Sequence, residues 1–289
     1  MIGLLFWLID ARALAATLAR ADPLLIFAIC GMSFVSLFLG ALNIWLLLRR
    51  LGEIPLGAFT EIYLTSWSLG LLIPGQLGDA AQIVLVRRHG VPAASAAAAY
   101  AIDKLASLGM FALIGLYGVA RYVGAAAPAS AAALALVGVL AAASFAIVVV
   151  RIRPKSLLPA RVREFSDSFE DKLALIVDRR GLVGLNVAIS IVKWLIMATM
   201  YYTAFAAVGA AIGFEPAATI PVVSSLVAYI PITVAGLGTT EWTAVGLFAA
   251  AGVEPLAVVS VYIIMRGALI ACAMLMLAMW WGSRYARAD

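Results

Sequence analysis

Ionisable side chains are scarce in this chain, and several sit inside apolar segments where they must either pair or do chemistry. Asp79 follows Pro74, Gly75, Gln76 and Gly78 in an apolar run broken by Pro and Gly, and Gln82 comes three residues later. The adjacent residues Asp103 and Lys104 begin eleven residues after Pro92. In the second half, Gly236 and Gly238 precede Thr240 and Glu241, and Arg266 stands eleven residues after Pro255. Buried carboxylates such as Asp79, Asp103 and Glu241 suit proton carriage, and Asp79 and Glu241 equally suit the capping of a helix N-terminus. Gln76, Gln82 and Thr240 are uncharged donors suited to a headgroup. Neighbours on a helix point about 100° apart, so Asp103 and Lys104 face different partners rather than each other. For Asp103 and Arg266, bridges to neighbouring helices stand beside a substrate role. Lys193 reads as a snorkelling or bridging residue, and Glu61 as solvated at the interface.

Other chemistry is disfavoured by the same inventory. The one histidine, His89, follows Arg87 and Arg88 in a turn, and Cys30 and Cys272 are isolated in apolar segments. Neither cysteine has metal-ligand spacing, so no metal or cofactor is expected. The G-x-x-x-x-G-K-[ST] loop for phosphate binding is missing from the sequence. An enzyme is therefore not the expected reading. Asp79 and Asp103 would be the two carboxylates of an intramembrane aspartyl hydrolase, but Leu77-Gly78-Asp79 matches such a motif poorly.

The elements that position these residues belong to a membrane protein. The chain is 65% hydrophobic and 12% charged, with mean hydropathy +1.08, too few charges to cover a soluble domain of this size. Residues 23–48 carry no charge and exceed the roughly 20 residues that span a bilayer. Further spans are expected at 92–120, 128–150, 181–208 and 255–281. Residues 1–9 are apolar but too short to span a bilayer, and 10–22 are expected to form a short interfacial amphipathic helix. In 151–180, Leu158, Val162, Phe165, Phe169, Leu173 and Ile176 make one apolar stripe on a helix lying along the membrane face.

Residues 56–88 and 216–252 each number fewer than the ~40 needed for two spans and a turn, and Pro and Gly break both in the middle. They read as re-entrant helical hairpins. Basic residues fix the sidedness. Loop 151–180 holds eight Lys or Arg, and Arg49, Arg50, Arg87, Arg88, Arg284 and Arg287 mark the other cytoplasmic ends, whereas 209–215 and 252–255 hold none. The topology then closes only if the hairpins enter from opposite faces. The expected fold is an all-α polytopic membrane protein, one domain over 1–289. It is an inverted-topology repeat, with repeat 1 at about 23–120, a connecting region at 128–180 and repeat 2 at about 181–282.

The run P-G-Q-L-G-D-A-A-Q from Pro74, then R-R-x-G-V-P, the Asp103-Lys104 pair and A-G-L-G-T-T-E ending at Glu241 resembles the lysylphosphatidylglycerol synthase transmembrane region, also called the flippase-like family. The family pattern usually reads P-G-R-x-G-E-x-x-R in the first hairpin. Here Gln76 and Gln82 replace the basic residues and Asp79 the Glu, while Thr240 stands where a basic residue usually precedes Glu241. The resemblance implies a stand-alone member without an aminoacyl-transferase domain, and the lost basic residues point to a less charged lipid, with hopanoid or polyprenyl-linked pathways among the associations of such members.

Together these features lead to an expected translocator of a phospholipid, glycolipid or isoprenoid-type lipid in the bacterial inner membrane, multi-pass, with a cytoplasmic C-terminus. Its polar cavities would be lined by the hairpins and open to opposite leaflets. The rival expectation is a non-transporting protein that holds a lipid for a biosynthetic enzyme. The expected partners are membrane lipid and either a second copy or such an enzyme, and not nucleic acid.

Overall fold

The computed structural model describes residues 10–72, 77–122, 159–227 and 238–285. The expected span at 128–150 lies outside the described residues, as do Pro74, Gly75, Gln76 and Gly236. Among the described residues the fold is all helical. In chain order the helices are α1 (Ala11–Arg20), α2 (Pro23–Leu48), α3 (Leu56–Leu72), α4 (Leu77–Arg87), α5 (Ala93–Tyr122), α6 (Ala160–Val177), α7 (Arg180–Ala207), α8 (Phe214–Val227), α9 (Thr239–Ala250) and α10 (Pro255–Tyr285).

Local chemistry sets several boundaries. Asp10 caps α1 by accepting from the Arg12 N–H at 2.8 Å, and Asp22 caps α2 by accepting from the Leu24 N–H at 2.8 Å. Pro23 fills the first position of α2, where a missing N–H costs nothing. The turns that end α4 and α9 use Gly90 (φ +81) and Gly252 (φ +80), in the left-handed region that side chains disfavour. Among the described residues, α2, α5, α7 and α10 are long and apolar enough to cross a membrane. The bundle surface carries large bare side chains such as Phe27 (77% exposed) and Leu113 (72%), as a lipid-facing wall requires. The shorter α3, α4, α8 and α9 have 17, 11, 14 and 12 residues, each less than the ~30 Å of a hydrocarbon core at 1.5 Å per residue.

The most extensive packing joins α2 to α7, which run in opposite directions. The Asp22 N–H donates to the Ala207 carbonyl at 3.0 Å at one end, and Asn43 reaches Asn186 and Ser190 at the other. One apolar core, with Leu47, Phe59, Val86 and Tyr100, fills the Asn43 end; a second, with Ile29, Phe205, Phe248 and Tyr262, fills the Asp22 end. At the first end, the turn before α3 touches the turn after α4. A Cβ on Gly52 would stand 3.1 Å from Val91, and Ser95 donates to the Leu51 carbonyl at 3.4 Å. At the second end, Val208 and Ala210 before α8 share a core with Ala251 and Val253 after α9.

The expected amphipathic helices occur as α1 and α6, but the α6 stripe is only partly covered. Ile176 is fully buried and Phe169 and Leu173 pack on the first core, while Val162 and Phe165 stay about half exposed. Leu158 lies outside the described residues.

Candidate functional site

A cavity of about 410 Å³ opens between the helices, walled by α2, α3, α5, α7, α8 and α10. Small-molecule sites are typically clefts of roughly 300–1,000 Å³, so the space suits a headgroup. Its lining is apolar and aromatic (Tyr63, Trp67, Trp194), interrupted by Ser33, Ser36, Ser107, Ser190 and Ser225 and by three charged residues, Asp103, Lys104 and Lys193.

Asp103 is 4% exposed and held by side chains of two other helices. Its Oδ1 accepts from Asn43 Nδ2 of α2 at 2.8 Å and from Asn186 Nδ2 of α7 at 3.1 Å. Asn43 Nδ2 also lies 3.2 Å from Ser190 Oγ and 3.3 Å from the Asn186 carbonyl. A buried carboxylate is tolerable when hydrogen bonds replace its hydration, and here the replacement ties α5 to the α2–α7 seam. Among the described residues, no hydrogen bond reaches Asp103 Oδ2. Lys104 is half-buried and lines the same cavity. Lys193, half-buried on α7, makes no hydrogen bond or ion pair among the described residues, and the opposite charge of Asp103 acts on it across the cavity.

A second polar cluster closes the start of α9. The Gly238 N–H donates to Glu241 Oε2 at 2.7 Å, Thr240 Oγ1 stands 3.3 Å from the same oxygen, and Arg266 of α10 donates through Nε to Glu241 Oε1 at 2.5 Å and through Nη2 to Thr240 Oγ1 at 3.1 Å. Gly238 itself has φ +86. Glu241 therefore fills the capping role expected of it, and Arg266 is a bridge to a helix of its own half. This cluster stands apart from the cavity lining.

Of the remaining expected site residues, Gly78 and Asp79 fall in the first turn of α4, where the backbone alone is described. Gln82 is 2% exposed with its Oε1 unpartnered among the described residues, and it does not line the cavity. Asn43, Asn186, Ser190 and the other cavity serines were not singled out from sequence. The available signal was Asn43, a side-chain amide in the otherwise charge-free 23–48 span, and Asn186 near the start of α7.

A helical bundle with four candidate spans among the described residues, and with a cavity on a seam of two antiparallel helices, fits a protein handling amphiphiles. No curated protein matches the chain. The family model for the lysylphosphatidylglycerol synthase transmembrane region matches residues 1–277. With that match over nearly its whole length, the chain belongs to the lysylphosphatidylglycerol synthase transmembrane-region family, as a multi-pass membrane protein of lipid-related processes.

Proposed function

We propose that this protein translocates a lipid across the bacterial inner membrane, its headgroup passing through the polar cavity while its tails stay in the bilayer. Carrying an ionised headgroup through hydrocarbon unaided costs on the order of tens of kcal/mol; a path lined by serines and charges removes most of that penalty.

The observation that carries this reading is an internal two-fold equivalence. Exchange α2 with α7, α3 with α8, α4 with α9 and α5 with α10, and packed pairs map onto packed pairs: α3–α4 onto α8–α9, α2–α3 onto α7–α8, α4–α5 onto α9–α10, α2–α5 onto α7–α10, α3–α10 onto α8–α5, α2–α10 onto α7–α5. The amphipathic helices follow, α1 on α10 matching α6 on α5. The cores match at an offset of 162 residues: Val86 with Phe248, Ala96 with Val258, Ala99 with Val261, Tyr100 with Tyr262 and Ile102 with Ile264. Gly90 and Gly252 keep the same offset and the same left-handed φ. Because the equivalent helices α2 and α7 touch and run oppositely, the relation between halves is read as an inversion. Adjacent start and finish of each short-helix pair support re-entrant hairpins, which would enter from opposite faces. Inverted repeats with interrupted helices meeting near the midplane are a recurrent transporter plan. The basic loops then put the α2–α3 and α4–α5 turns and the C-terminus in the cytoplasm.

Two experiments test this. Purified protein in liposomes should accelerate flip of fluorescent lipid tracers over protein-free vesicles; tight lipid binding with no acceleration would assign the protein instead to holding lipid for a biosynthetic enzyme. Single cysteines at Glu53 and His89 should label from one face and those at Ala211 and Glu254 from the other, in a Cys30→Ala, Cys272→Ala background. Labelling of Glu53 and His89 from different faces would end the hairpin reading.

A further inference from the structure

Asp103 on α5 and Lys193 on α7 are opposite charges lining one cavity, which Lys104 lines as well, yet Asp103 and Lys193 form no ion pair. Each is half of a site. Asp103 is positioned through Oδ1 by Asn43 and Asn186 and turns no partnered oxygen elsewhere among the described residues. Lys193 brings an ammonium to the same space with no hydrogen-bond or ion-pair partner among the described residues. A charge withdrawn from bulk water needs a compensating group. A purely anionic guest would satisfy Lys193, and Lys104 beside it, but be repelled by Asp103; a purely cationic one would do the reverse. A guest carrying both signs, spaced by a short linker, satisfies both at once. The serines at 33, 36, 107 and 190 supply hydroxyls that can donate to phosphate oxygens or accept from an ammonium.

We infer that the cavity is a zwitterion site, taking a headgroup with an ammonium directed to Asp103 and a phosphate directed to Lys193. This deepens the translocation reading and rests on it for the lipid source of the headgroup, though the site itself would serve equally in a protein that only holds lipid.

The test separates the two. Native mass spectrometry of the detergent-solubilised protein, equilibrated with equimolar phosphatidylethanolamine and phosphatidylglycerol, reads binding without transport. The wild type should retain the ethanolamine lipid preferentially. Asp103→Asn keeps an oxygen for the two amide donors but loses the charge, and should lower the ethanolamine-to-glycerol ratio about tenfold, the equivalent of one charge-assisted hydrogen bond. Lys193→Gln should weaken both lipids, since both carry phosphate. Free O-phosphoethanolamine is the third arm. Retention of this soluble compound in place of the lipid would keep the zwitterion site and reassign its source. Preference for phosphatidylglycerol in the wild type, or a ratio unmoved by Asp103→Asn, would overturn the inference. If binding follows the expected pattern while tracer flip in liposomes is not accelerated, the zwitterion site stands and the translocation reading falls.

Discussion

Removing Glu241 should unfasten α9 from α10, and the size of the effect follows from its contacts. The carboxylate takes the Gly238 N–H at 2.7 Å and the Arg266 guanidinium at 2.5 Å, with Thr240 Oγ1 at 3.3 Å. Its side chain is 9% exposed and that of Arg266 is 31%. Breaking a fully buried pair by deleting one partner costs about 3–5 kcal/mol, mostly from the stranded charge. Arg266 is a third exposed and can recruit water, so that part is discounted. Hydrogen bonds between membrane helices average only about 0.6 kcal/mol, while capping bonds are worth about 1 kcal/mol. Glu241→Ala is therefore expected to cost about 2–3 kcal/mol, Arg266→Met about 1–2, and the double variant less than their sum by about 1–2 kcal/mol, because neither stranded partner remains. Reversible unfolding in mixed micelles with increasing sodium dodecyl sulfate, followed by tryptophan fluorescence, measures all three. Strict additivity within about 0.5 kcal/mol would mean that the ion pair contributes nothing, and the account of α9 as a helix fastened to α10 through Glu241 would fail.

The same unfolding titration checks the turns and the cavity wall. A Cβ on Gly252 meets nothing within 4 Å, so the cost of Gly252→Ala is that of its left-handed backbone alone, about 1–2 kcal/mol. Gly246 has the same open surroundings but lies within α9, so Gly246→Ala should instead stabilise, by up to about 1 kcal/mol; effects of the same sign would refute the backbone argument. Asn43→Leu strips the shorter of two amide donors from the buried Asp103 and should cost about 2 kcal/mol, and a simultaneous Asp103→Leu should recover much of it. At Gly40 an added Cβ would fall 2.2 Å from the Tyr63 hydroxyl, so Gly40→Ala must displace a side chain that lines the cavity; lipid retention by native mass spectrometry should change while the melting transition moves little, and unchanged retention would show that Tyr63 does not shape the site.

Much of the fold was legible because few signals compete in a membrane chain. Length, charge-free runs and Pro-Gly breaks placed α2, α5, α7 and α10 and both short-helix pairs to within a few residues. The α6 stripe was legible as a period but not as a buried face, since which of its residues are covered depends on helices that pack there. The register between the halves of the proposed repeat carried a slip. Counting from the prolines set Arg266 opposite the Asp103–Lys104 pair as a whole, but Glu254 is an extra residue between the turn glycine and Pro255. Counted from the left-handed glycines, Lys104 and Arg266 each follow by fourteen residues, and Asp79 and Glu241 each precede by eleven. Of the cavity lining, Asp103 and Lys104 were legible as candidates. The rest was not, because the cavity is a gap among six packed helices and its serines carry no charge to flag them in sequence.

That corrected register separates two kinds of polar residue. Glu241 and Arg266 have sequence counterparts at the same offset, Asp79 and Lys104, both pairs being 25 residues apart. In the half where it is described, the pair fastens a short helix to its neighbour, work that both halves of the proposed repeat would need. Lys104 also lines the cavity, whereas the other two charged residues there have no such counterparts. At the same offset, Asp103 corresponds to Met265, Asn43 to Phe205 and Lys193 to Gly31. A two-fold plan with identical residues would build the same polarity twice and give no preference for one end of a guest. Placing an acid, held by its amide donors, on α5 and a base on α7, once only, breaks that equality and gives the cavity a direction. Substitutions at the repeated pair should therefore act on stability first, whereas those at Asp103 and Lys193 should act on which lipid is held.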